Sequence, residues 1–271
     1  MIIEIDSLYL HRQQIYLPYT SLMISLEVCA NSITSAIAAQ EGGAFRVELC
    51  DNLKEGGTTP SPGQIQVARK LLHIKLYVLI RPRSGDFLYN DIEFEVMKAN
   101  VQYCIDAGCD GVVLGILNTD GSIDLERSGE LIKMAKAAGL GVTFHRAFDV
   151  CADQFKALEE IIELGCERIL TSGGKSTAME GSTVIAHLVE KAAGRIIIMP
   201  GSGVDEKNVT DLVHYTGVNE VHSSARKIVE SRMKFQNDHI IMGELLHDEY
   251  NYDVTDANRV RDIIRLANEN K

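Results

Sequence analysis

From Leu26 onward, short β-rich runs alternate with longer stretches of helical periodicity, and the alternation repeats eight times. A chain patterned this way builds a parallel sheet whose strands are joined by crossover helices. The strands are expected at Leu26–Ala30, Phe45–Cys50, Leu76–Pro82, Gly111–Leu117, Val142–Phe148, Arg168–Ser172, Ile196–Pro200 and Val218–Ser224. Amphipathic stretches such as Asp91–Ala107 and Asp124–Ala138 separate them, and Gly42–Gly43, Gly108, Gly139 and Gly165 fall where a helix must stop and turn back. A doubly wound open sheet typically carries a GxGxxG turn after its first strand. Here that turn reads Cys29-Ala30-Asn31-Ser32. Eight units in 271 residues, close to the roughly 250 that a barrel uses, point instead to an α/β fold with a single (β/α)8 TIM-type barrel.

The barrel is assigned to residues 23–271, and residues 1–22 are expected to lie outside it. That leader places Glu4 and Asp6 where an export signal would carry Lys or Arg, and it has no apolar run long enough to anchor. Beyond Lys227 a polar, acidic stretch leads to a last expected helix, Val254–Asn268. The net charge of −11 opposes nucleic acid and anionic membrane surfaces, which demand clustered Lys and Arg, and suits a small molecule or a metal ion. The six cysteines show no CxxC spacing in a chain too long to need disulfides, so they read as reduced cytoplasmic thiols.

Strand side chains alternate, so if the apolar set packs outward against helices, the other set fills the lumen. This aims Glu27, Cys29, Glu48 and Cys50 inward, with Thr143, His145, Arg81, Arg83, Glu220 and His222. Buried ionic groups cost several kcal/mol unless paired. One explanation is an ion-pair network that only holds the barrel together. The other is a site, favoured because most of these residues end their strands at the face where such barrels keep active sites.

Three chemistries fit. Thr171, the Gly201-Ser202-Gly203 turn after strand seven, and His222, Ser223 and Arg226 after strand eight can form an anion pocket with Arg81 or Arg83, although tight turns need glycine anyway. Glu27 or Glu48 can serve as a base, with His145 as acid and Arg81 stabilising negative charge. Cys29 and Cys50, on strands about 4.8 Å apart, can meet around a soft ion such as copper(I), against the ordinary reading of buried cysteines as small hydrophobes. A Ser223, His222, Asp149 mechanism is disfavoured because neighbours on one strand point apart. Neither structural zinc nor an organic cofactor is indicated by any motif.

At these residues the sequence resembles the CutC family. The resemblance runs from Leu26 to Arg226 through Leu26-Glu27-Val28-Cys29, Arg46-Val47-Glu48-Leu49-Cys50, Glu55-Gly56-Gly57-Thr58-Thr59-Pro60-Ser61, Ile80-Arg81-Pro82-Arg83, Thr143-Phe144-His145-Arg146-Ala147-Phe148-Asp149 and His222-Ser223-Ser224-Ala225-Arg226. It implies a cytoplasmic TIM-type barrel that self-associates as a homodimer or larger homo-oligomer, takes part in copper homeostasis and binds copper(I) through Cys29 and Cys50. The alternative function is an enzyme acting on a small anionic or phosphorylated substrate at the barrel mouth. The leader before Met23 departs from the family pattern, which opens close to the first strand.

Overall fold

The structure is a computed structural model that describes residues 23–237, 239–240 and 249–269; the leader assigned to residues 1–22 lies outside them. Eight parallel strands run in the order expected of a barrel: β1 (Ser25–Ala30), β2 (Arg46–Leu49), β3 (Lys75–Leu79), β4 (Gly111–Leu114), β5 (Gly141–Phe144), β6 (Arg168–Thr171), β7 (Ile197–Pro200) and β8 (Glu220–Ser223). Each pairs with its sequence neighbour and β1 also pairs β8, leaving β7 and β8 packed across the one seam without a ladder. Each expected strand is present; most are shorter than expected, while β1 and β3 each begin one residue earlier. The expected Val142–Phe148 strand stops at Phe144, because the His145 ring accepts a hydrogen bond from Ala147 N and the chain turns into a 3-10 segment, Arg146–Val150.

Helices α1 (Ile33–Glu41), α2 (Pro62–Leu71), α3 (Asp91–Asp106), α4 (Leu125–Ala137), α5 (Gln154–Leu164), α6 (Ser182–Ala192) and α7 (Val209–Thr216) form the outer ring. A last helix, α8 (Ala257–Ala267), packs against α1 and α7 and begins where Asp256 caps the N–H groups of Asn258 and Arg259. It starts later than expected because Asn251–Thr255 is a strand, β10, paired antiparallel with β9 (Arg226–Glu230) beside the mouth. None of the described helices is long and apolar enough to cross a membrane.

Alternation splits the core into two layers. Leu26, Val28, Val47, Leu49, Val78, Ile80, Val112, Val142 and Phe144 face the helices, while Cys29, Cys50, Tyr77, Leu79 and Val113 form a separate apolar cluster in the lumen. Glycines make room for Tyr77: a Cβ on Gly141 would stand 1.9 Å from its hydroxyl and one on Gly111 2.4 Å from its ring. Gly111 and Gly141 are register partners on β4 and β5, so together they open one side of the barrel floor. Gly141→Ala is expected to overpack this floor and cost about 1–3 kcal/mol, measured by urea unfolding. An unchanged midpoint would mean that Tyr77 has another place to go.

Candidate functional site

Arginines that the alternation argument passed over organise the floor of the lumen. Arg46, 1% exposed, has the inward parity of Glu48 and Cys50; it donates through Nε to Glu27 and through Nη2 to Glu220 at 2.5 Å. Arg168 reaches the same Glu220 at 3.2 Å and Thr143 Oγ1 at 3.3 Å. The two guanidinium groups lie 5.1 and 5.2 Å from the Tyr77 ring centre, and the Tyr77 hydroxyl donates to Glu167 at 2.8 Å. Such cation–π contacts help offset the desolvation of both cations. Burial alone would raise the Glu27 carboxyl, but the Arg46 charge and a 2.8 Å hydrogen bond with His222 Nδ1 outweigh it and hold it well below the carboxylate range.

Above this floor a cavity of about 600 Å³ opens at the C-terminal ends of the strands. Cys29, Glu48, Cys50 and His222 form one wall. The Cys29 and Cys50 Sγ atoms lie 3.3 Å apart, and a Glu48 carboxylate oxygen joins them in a group whose ligand atoms all fall within 4.8 Å of one another. Glu27, Glu48 and His222 form a second such group. His222 Nε2 stands 3.7 Å from Glu48. Burial alone would push the imidazole down, but hydrogen bonds to Cys29 and Glu27 and the Glu48 charge outweigh it, so His222 is held well above its usual range. Burial raises Glu48 despite that imidazole. The hydrogen bond to Cys50, followed by burial, raises Cys29; the same contact favours the Cys50 thiolate, but burial and Glu48 outweigh it and Cys50 also rises. Both thiols are therefore protonated at neutral pH.

Elsewhere around the cavity stand Arg81, His145, Ser202, Gly203, Ser223 and Arg226. Ser202 Oγ donates to Ser176 O at 2.8 Å and Ser223 Oγ to Val204 O at 2.6 Å, so both hydroxyl protons are committed to the loops. Ser202 and Gly203 both have left-handed backbones, at φ 79° and 73°. Arg226, on β9, faces Asp253 of β10 at 3.8 Å.

Glu27, Arg83, Thr171 and Gly201 do not line the cavity. Glu27 is enclosed beneath it, with its oxygens on Arg46 and His222. β3 ends at Leu79, so strand parity no longer governs Arg83, which pairs with Glu93 at 2.6 Å and Asp86 at 2.9 Å in the following loop. Thr171 donates to Asp149 at 2.5 Å, and Asp149 also accepts from Ser172 N and from Arg146 Nε at 2.7 Å, tying the 3-10 segment to the loop after β6. Gly201 sits where a Cβ would meet Leu170 at 2.6 Å. Asp149 is thus a positioning group for the mouth rather than part of a triad. The remaining cysteines, Cys104, Cys109, Cys151 and Cys166, are free thiols outside the cavity.

Comparison with known proteins bears on this geometry. The CutC family model matches residues 24–227. A family protein CutC of Xylella fastidiosa is 53% identical over 90% of this chain and 89% of its own length. The copper homeostasis protein cutC homolog of Mus musculus is 47% identical over 90% and 89%. The crystal structure described as a copper homeostasis protein CutC from Streptococcus agalactiae superposes with a TM-score of 0.71 at 40% identity, covering 74% of this chain and 99% of that one. Thiamine phosphate pyrophosphorylase from Pyrococcus furiosus, 14% identical with a TM-score of 0.56 over 91% and 96%, shares the fold alone.

Proposed function

The chain belongs to the CutC family of copper homeostasis proteins, and from that premise we propose that it binds copper(I) as cargo through the thiols of Cys29 and Cys50. The observation that carries this reading is the buried thiol pair at 3.3 Å with Glu48 beside it. Two thiolates are soft ligands of the kind copper(I) selects. Their separation is shorter than two opposed metal–thiolate bonds span, roughly 4.6 Å on the zinc–sulfur length of about 2.3 Å. The ion is therefore held to one side of the pair, or the thiols part to admit it, with Glu48 the nearest further donor.

Charge supports the same ion. Two thiolates and one copper(I) leave one net negative charge, and His222, held above its usual range beside Cys29 and Glu48, is the neighbouring group that favours it. The reading extends to a cytoplasmic location, where six free cysteines stay reduced, and to self-association as a homo-oligomer. An anaerobic copper(I) titration against a competing chelator tests it. Wild type is expected to take one ion per chain and Cys29→Ser/Cys50→Ser to lose it. Equal binding by the two proteins would overturn the assignment.

A further inference from the structure

We propose that another wall of the mouth cavity, built by Arg81, Phe87 and His145, is a binding site for a small organic monocarboxylate, separate from the thiol pair. Arg81 carries the proposal furthest. It is 5% exposed, and its guanidinium donates to the backbone carbonyls of Glu55, Gly57 and Gly85 at 2.7–3.2 Å, with the Tyr89 hydroxyl beside it. Among the described residues no carboxylate lies within ion-pair distance of it, and its Nε has no partner. The other cavity arginines are committed: Arg146 to Asp149, Arg226 to Asp253 and Arg259 to Glu206. A buried cation without a counter-ion is costly and is relieved by a bound anion.

His145 supplies an independent observation. It is 4% exposed, lines the same cavity, and its buried Nε2 has no hydrogen-bond partner. Its Nδ1 accepts from Ala147 N at 3.2 Å, which leaves the ring proton on Nε2 as a free donor. Burial and the Arg81 charge push this imidazole down to about 3, so the ring is neutral and donates without adding charge. Phe87 joins the two: its ring centre is 5.0 Å from the Arg81 guanidinium carbon and 4.9 Å from the His145 ring centre.

One uncompensated cation and one neutral donor match a single negative charge. A phosphate dianion would set its second charge in a cavity also lined by Glu48, Asp205 and Asp253, whereas Leu79 and Leu170 offer apolar surface for the body of a carboxylate. The test is a titration of the full chain, carrying isotope-labelled histidine and free of copper, with acetate, benzoate and inorganic phosphate. Benzoate is expected to move the His145 Nε2 resonance saturably and more tightly than acetate. Arg81→Met is expected to weaken it at least about tenfold, as losing one charge-assisted hydrogen bond does, and Cys29→Ser/Cys50→Ser to leave it unchanged. If Arg81→Met does not fold, His145→Phe, read by saturation transfer to benzoate, is expected to show the same loss. Either carboxylate binding equally to the Arg81 or His145 variant overturns the proposal, as does a His145 signal that responds to phosphate alone or to none of the three.

Discussion

Replacing Arg46 by methionine is expected to cost about 3–5 kcal/mol of folding stability, the range for removing one partner of a buried ion pair. Arg46 serves two carboxylates at once, Glu27 and Glu220, and both are under 10% exposed. Methionine fills much of the volume, so the loss is electrostatic rather than a cavity effect. In the wild type Glu27 is held below the carboxylate range, so its stabilising contribution is complete above the unfolded pKa of about 4.3 and is lost only as pH falls below it. In the variant the Arg46 charge no longer offsets burial, so the folded-state pKa of Glu27 rises. Protonation then relieves part of the cost, and the deficit relative to wild type should shrink as pH falls from 7 towards 5. Guanidinium unfolding at both pH values measures this. A deficit under about 1 kcal/mol, or one independent of pH, would mean that His222 and Arg168 suffice to compensate the floor.

Cys29→Ser/Cys50→Ser is expected to lower copper(I) affinity at least about a thousandfold while leaving the fold intact. Structural zinc sites with four ligands gain about 10–16 kcal/mol, so by analogy two thiolates account for several kcal/mol, and tenfold corresponds to about 1.4 kcal/mol. Serine keeps nearly the size of cysteine at these positions, 8% and 0% exposed, and its hydroxyl at position 50 can donate to Ala30 O as the Cys50 thiol does. The pH dependence has a definite sign. Both thiols are raised in the free protein, so each must release a proton to ligate, and affinity should increase by about tenfold per pH unit for each proton displaced. An affinity that is flat or falls with rising pH would place copper on other donors.

The eight strands could be read in advance because each is short, β-rich and bounded by an amphipathic helix, with core on both faces. Parity then brought Glu27, Glu48, Cys29, Cys50, Arg81, His145 and His222 into the lumen, where the structure has them. The same rule, carried two residues N-terminal from Glu48, would have found Arg46, and with Ile169 packed outward it would have found Arg168. It failed at Arg83 because alternation fades once the ladder ends: Ile80 N still bonds Val113 O, so Arg81 follows the strand, whereas Arg83 lies three residues beyond Ile80 in the loop. The β9–β10 hairpin escaped notice for a different reason. Its strands are half-exposed, rich in charge and joined across a long connection, so neither periodicity nor a turn motif marks them. Asp256, a capping residue followed by the apolar Val260 and Ile263, was the signal that would have moved the start of α8 from the expected Val254 to Ala257. Partner identities, such as the shared hold of Arg46 on Glu27 and Glu220, depend on register between strands far apart in sequence and were not legible.

X-ray absorption of the copper(I)-loaded full chain, prepared anaerobically at one ion per chain, tests the thiol site most directly. A first shell containing two sulfur scatterers, absent from Cys29→Ser/Cys50→Ser, is the predicted result. A first shell of nitrogen and oxygen alone, unchanged by that variant, would contradict it.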